Sequence, residues 1–213
     1  MNTIMPFEPA VPAIIVGEAF DGGTPPLGLG EPFALLGGER LGPDGIVFEM
    51  LHDHQPDLLG WIASSCGAQL EAERYWFRGA PVILTGPRGC GRTHAARWLA
   101  RVSGVPHVIL NLSDPIIASN LAASRAVGET LWASPVTVAM ATTRCANPVV
   151  TVLGAEFASD DVTNGFLSMI DPELGAVWRE DLLGVQVDMS EVTWVFQGLS
   201  VILCARSFLF IRP

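Results

Sequence analysis

The residues with the most chemistry to offer run from Gly86 to Thr93 and read Gly-Pro-Arg-Gly-Cys-Gly-Arg-Thr. An apolar run, Pro81-Val82-Ile83-Leu84-Thr85, precedes them, and a helical pattern from His94 to Val102 follows. Strand, glycine-rich turn, then helix is the context of a phosphate-binding loop of the type G-x-x-x-x-G-K-[ST]. Gly86, Gly91 and Thr93 meet that spacing, and Arg92 stands where lysine is expected. Glycines let successive backbone N–H groups converge as an anion nest, and the helix N-terminus adds partial positive charge. The nest is made by amides, so it survives the loss of lysine. Arg92 keeps a positive charge, but as a planar fork on a longer arm that can crowd the phosphates or touch them from outside. Weakened phosphate binding is the expectation; the plain alternative is a turn that merely joins a strand to a helix.

Alternating signals on either side of this loop indicate how it is held. His94 to Val102 carries Ala95, Ala96, Trp98, Leu99 and Val102 at helical spacing, with Gly104 as a stop. Val108–Leu112 suits a buried strand, Val136–Ala146 a helix closed by Asn147-Pro148, and Val149–Leu153 is the most strand-like run of all. Asp161–Leu174 predicts a further helix broken near Asp171-Pro172, and Val192–Phe196 and Ser207–Ile211 predict the last strands. Strands alternating with helices predict an α/β fold: a three-layer core with a mostly parallel sheet, its ligand loop at the carboxyl ends of the strands. Residues 1–45 are dense in Pro and Gly and predict a loop-like N-terminal segment, with apolar residues such as Phe33 and Leu36 favouring partial docking. Residues 46–78 predict a helical lead-in, and 79–213 the α/β core. His52-Asp53-His54 could suggest a metal, but adjacent side chains diverge, and a solvated polar turn is the simpler reading.

Composition removes several chemistries. All twelve basic residues are arginine, so a Schiff-base lysine, a Ser–Lys dyad and a lysine phosphate clamp are unavailable. A net charge of −10 with no basic run argues against nucleic acid and against an anionic membrane surface as partners. Cys66, Cys90, Cys145 and Cys204 are scattered without a C-x-x-C pair, which predicts reduced thiols in a cytoplasmic protein. No stretch approaches membrane-spanning length, and no basic flank precedes an apolar run at Met1–Pro6.

Four segments in order resemble the AAA+ ATPase modules of bacteria, especially the ATPase part of Lon-type proteases, within the P-loop NTPase superfamily. They are Pro81–Thr93, Asn147–Val152, Phe166–Glu173 and Val187–Trp194. The third is similar to an "LLxxLEPE" run and the fourth to a "vDLSxVxW" lead-in to the sensor strand. The resemblance implies a P-loop NTPase-like nucleotide-binding core that takes ATP and Mg²⁺ and forms homo- or hetero-oligomers with AAA+ subunits. Carried over, it implies that Gly86, Pro87, Arg88, Gly89, Cys90, Gly91, Arg92, Thr93 and His94 contact nucleotide, with the Thr93 hydroxyl on Mg²⁺.

The chain departs from this pattern where hydrolysis is carried out. Leu153-Gly154 stand where the acidic pair is expected, and Glu156 is the nearest carboxylate, the candidate catalytic residue if the chain bulges after Gly154. Phe196-Gln197-Gly198-Leu199 replace the expected sensor asparagine; Arg206 and Arg212 are arginine-finger candidates by proximity alone. No room for a helical lid follows. The expectation is an ATP-binding module with weak or absent hydrolysis. The alternatives are an inactive pseudo-ATPase that serves assembly, or a decayed fragment whose family pattern dissolves after Trp194.

Overall fold

The computed structural model describes residues 11–42, 44–50, 56–121, 133–198 and 209–211. Along the chain lie β1 (Ala13–Ile15), β2 (Gly17–Ala19), β3 (Pro32–Ala34), α1 (Ile46–Met50), α2 (Pro56–Glu71), β4 (Val82–Thr85) and α3 (Arg92–Ser103). There follow β5 (His107–Asn111), α4 (Pro115–Leu121), α5 (Pro135–Thr143), β6 (Val149–Leu153) and α6 (Asp160–Ile170). The last strands are β7 (Trp178–Glu180), β8 (Val185–Val187), β9 (Thr193–Gly198) and β10 (Leu209–Ile211).

Single-residue alternation along the buried strands builds the centre. In β4, Val82 and Leu84 face one apolar layer and Ile83 the other; in β9, Val195 faces the first layer and Trp194 and Phe196 the second. Period-two burial on both faces is what a sheet covered on each side requires. The five-stranded sheet runs β10-β4-β9-β6-β5, every pairing parallel, as expected for an α/β core. Ile46, Met50, Leu58, Trp61, Ile62 and the buried stripe of α3 cover one face. Val136 and Met140 of α5, with Val162, Phe166 and Met169 of α6, cover the other. There the Phe166 ring meets Trp194 and Phe196 edge-on, with centroids 5.7 and 5.5 Å apart.

The N-terminal segment departs from its loop-like expectation. β1 pairs with β3, and β2 joins a separate antiparallel sheet, β2-β8-β7. Leu29 and Phe33 are fully buried in the same apolar cluster as Phe166 and Trp194. Three-residue strands separated by glycine turns carry too little periodicity to be recognised, although their apolar residues are core. Asn147 ties this segment down: its Oδ1 accepts from Leu36 N–H at 2.9 Å, and its Nδ2 donates to the carbonyls of Leu36 and Phe77 at 2.9 and 2.8 Å.

His52-Asp53-His54, Cys204, Arg206 and Arg212 lie outside the described residues. Among the described residues no group of three metal-ligating side chains gathers, and no helix is long and apolar enough to cross a membrane.

Candidate phosphate-binding site

The loop forms the turn that its glycines anticipate. Gly86, Gly89 and Gly91 have φ of 145°, 82° and 92°, all in the region that favours glycine. A Cβ at Gly89 or Gly91 would meet nothing within 4 Å, so backbone conformation, and not crowding, calls for glycine there. Gly91 is the N-cap of α3 and supplies no side-chain cap. The first helical hydrogen bond runs from Ala95 N–H to the Gly91 carbonyl at 2.8 Å. The amides of Arg92, Thr93 and His94 precede it, and a helix leaves such donors without intrahelical acceptors. Gly89, exposed at the loop tip, and the half-buried Cys90 complete the bend.

Register sets what stands beside the loop. β9 pairs with β4 through Thr85 opposite Gly198, so the end of β9 abuts the start of the glycine turn. The Arg92 guanidinium spans that junction: Nη1 donates to the Gly86 carbonyl at 2.6 Å and to the Gly198 carbonyl at 2.8 Å. The guanidinium thus donates to two carbonyl oxygens, one at the start of the turn and one at the end of β9. Thr93 Oγ1 donates to Gln197 Oε1 at 3.1 Å, and Gln197 Nε2 is buried with no acceptor among the described residues. Sequence reasoning passed over Gln197 because the family pattern asks for asparagine; its place on the strand beside the loop was the available signal.

The acidic side of the site is crowded. Gly154 follows β6 with φ of 72°, and a Cβ there would lie 2.1 Å from Ser113 Oγ and 3.0 Å from Ser113 N. A side chain at that position must displace the Ser113 hydroxyl, pack tightly against the Ser113 backbone and adopt a φ that disfavours residues other than glycine. Glu156 sits on the single 3-10 turn Ala155–Phe157, exposed, with no hydrogen-bond partner among the described residues. Mg²⁺ in such sites is held by one or two carboxylates together with phosphate oxygens and waters. Thr93 offers one neutral hydroxyl, Leu153 and Gly154 offer nothing, and Glu156 turns to solvent, so the described residues do not fit the metal. Pro87, Arg88 and His94 are exposed around the loop, and Arg88 adds a second guanidinium.

No protein-family model matches the chain. It is 25% identical over 143 residues to the Lon protease of Brucella suis biovar 1, covering 65% of this chain and 17% of that protein. Against the Lon protease of Neorickettsia sennetsu it is 27% identical over 124 residues, 56% of this chain and 15% of that one. It is 35% identical over 63 residues to the denitrification regulatory protein NirQ of Pseudomonas aeruginosa, 29% of this chain and 24% of that protein. Among solved structures, a P216G mutant of RuvB from Thermotoga maritima matches with a TM-score of 0.47 and 14% identity, over 74% of this chain and 45% of that one. The chain therefore spans about a sixth of the length of the Lon proteases that it matches.

Proposed function

We propose that the chain is an AAA+-type nucleotide-binding module that holds the polyphosphate of ATP in the Gly86–Thr93 loop and turns it over weakly or not at all. The observation that carries this reading is the left-handed Gly89 and Gly91 at the head of α3, which leave uncapped amides facing the loop. A nest of amides on a helix tip binds anions whether or not lysine is present. The partial Lon protease similarity and the four ordered segments support the same reading. In this account Gly86, Gly89, Gly91 and Thr93 donate backbone N–H groups, and Arg92 and Arg88 supply positive charge.

Weak turnover follows from the acidic side. Loss of a positioned general base alone costs roughly 10²–10⁴-fold in rate. A carboxylate at Gly154 would be strained and crowded, and Glu156 would have to leave its exposed turn to replace one. The same observation favours a second reading, a pseudo-ATPase that joins intact AAA+ subunits. Its test is co-assembly with such a subunit in the absence of nucleotide; a chain that ignores every intact subunit offered would end that reading.

Calorimetry tests the first. Gly91→Val puts a β-branched residue at a φ of 92°. The variant should bind ATP at least about tenfold more weakly, roughly 1.4 kcal/mol. Equal affinity in both proteins, or no affinity in either, would refute the reading.

A further inference from the structure

The side chains around Thr93 assign a chemistry to this site that differs from the magnesium-dependent one implied by the AAA+ resemblance. Resting on the nucleotide-binding reading, we infer that the loop takes its polyphosphate as the metal-free anion, with protein donors in the place of the divalent cation. Three features lead there. The strand end that would carry metal-holding carboxylates is Leu153-Gly154, and a side chain at Gly154 would be strained by a φ of 72° and crowded by Ser113, whose Oγ would stand 2.1 Å from a Cβ. Glu156, the next carboxylate, is on an exposed turn. Beside Thr93, where a carboxylate would help to fix the cation, stands the neutral amide of Gln197, hydrogen-bonded to the threonine hydroxyl at 3.1 Å.

Gln197 supplies the observation that points to a ligand. It is 9% exposed, and its Nε2 is buried with no acceptor among the described residues. A buried amide N–H without a partner is destabilising, so a ligand that supplies an acceptor is favoured there. Nε2 belongs to the same planar amide that holds Thr93, at the first turn of α3, and a small rotation of the Gln197 side chain would present it to an oxygen of a bound phosphate. The polyphosphate charge then faces Gln197 Nε2, the loop amides, and the guanidiniums of Arg92 and Arg88. Arg92 is already placed for this, since its Nη1 spans the loop and the end of β9 through the Gly86 and Gly198 carbonyls. A guanidinium presents five donors, so two bonds to carbonyls leave others for phosphate. Charge neutralised in this way needs no metal to be bound at the same time.

The test is calorimetric titration of the whole chain with ATP, once in excess EDTA and once in excess MgCl₂. The expected result is binding in both, with Mg²⁺ tightening it by no more than about threefold or weakening it, because the metal withdraws charge from the anion. Tightening of about tenfold or more on adding Mg²⁺ overturns the inference while leaving nucleotide binding intact. Absence of binding in both buffers refutes the nucleotide reading and the inference with it. A second variant reads the amide directly. Gln197→Glu keeps the shape and puts a carboxylate beside Thr93, so affinity in EDTA should fall about tenfold or more and Mg²⁺ should now restore it. A Gln197→Glu protein that binds in EDTA as tightly as the original chain would contradict the role given to Nε2.

Discussion

At the scale of single residues, the molecule separates groups that hold structure from groups left open to a ligand. Asn147 belongs to the first kind: with Oδ1 and Nδ2 it serves three backbone groups, and the Cys145 thiol also donates to its Oδ1 at 3.2 Å. Asn147→Ala leaves those groups unpaired in the interior and should destabilise the fold by about 2–4 kcal/mol in denaturant titration. Asn147→Asp should cost more, since its second oxygen would face the carbonyls of Leu36 and Phe77. Burial pushes the thiols of Cys66 and Cys145 up to about 11, whereas Cys90 lies half-buried within the glycine loop. Among the three described thiols, iodoacetamide at pH 8 should therefore label Cys90 first, and ATP should slow that labelling. Labelling of Cys66 and Cys145 as fast as Cys90 in the folded chain would contradict this account of the loop. The turn itself was legible in the sequence because the glycine spacing, the flanking apolar run and the helical pattern together indicate strand, tight bend and helix. The partners of Arg92 and Thr93 were not, since Gly198 and Gln197 are more than a hundred positions away and only strand register brings them close.

At the scale of elements, close approaches decide which substitutions the fold tolerates. Helix α6 crosses α4 at Gly165, where a Cβ would lie 1.8 Å from the Leu121 carbonyl oxygen. Gly165→Ala would improve helix propensity in isolation, yet it should destabilise the protein by about 1–3 kcal/mol through overpacking. A stabilised Gly165→Ala protein in thermal unfolding would contradict that packing. His107 on β5 is hydrogen-bonded through Nε2 to Thr151 Oγ1 at 2.8 Å. Burial lowers its pKa, and the Arg97 guanidinium lowers it further. The unfolded chain thus takes up a proton that the folded one resists, so stability is full above the ordinary histidine value of about 6.5 and declines as pH falls through it. Replacing His107 with Gln should flatten that part of the melting-temperature profile between pH 7.5 and 5.5. The core elements were readable because β6 is an unbroken Val/Thr/Leu run and α3 has a regular apolar stripe. The three strands before residue 35 were not, because each spans three residues and their two pairings are with β8 and across a long glycine-rich turn.

At the scale of the whole molecule, a parallel sheet places the Gly86–Thr93 turn, proposed to hold phosphate, at the end of β4, with the end of the neighbouring strand β9 beside it. Residues 11–42 are built into this body, with Phe33 fully buried and Asn147 bonded to Leu36, despite their Pro/Gly density. In the proposed function the loop amides grip phosphate, while among the described residues no carboxylate stands at the end of β6 to order a metal or a nucleophilic water, and this asymmetry defines the proposal. The most direct measurement of it is competition at the loop, with a fluorescent ATP analogue displaced by inorganic tripolyphosphate or by adenosine. The account predicts displacement by tripolyphosphate, weakened by Gly91→Val, with adenosine far less effective. Displacement by adenosine alone, with tripolyphosphate inert, would contradict it.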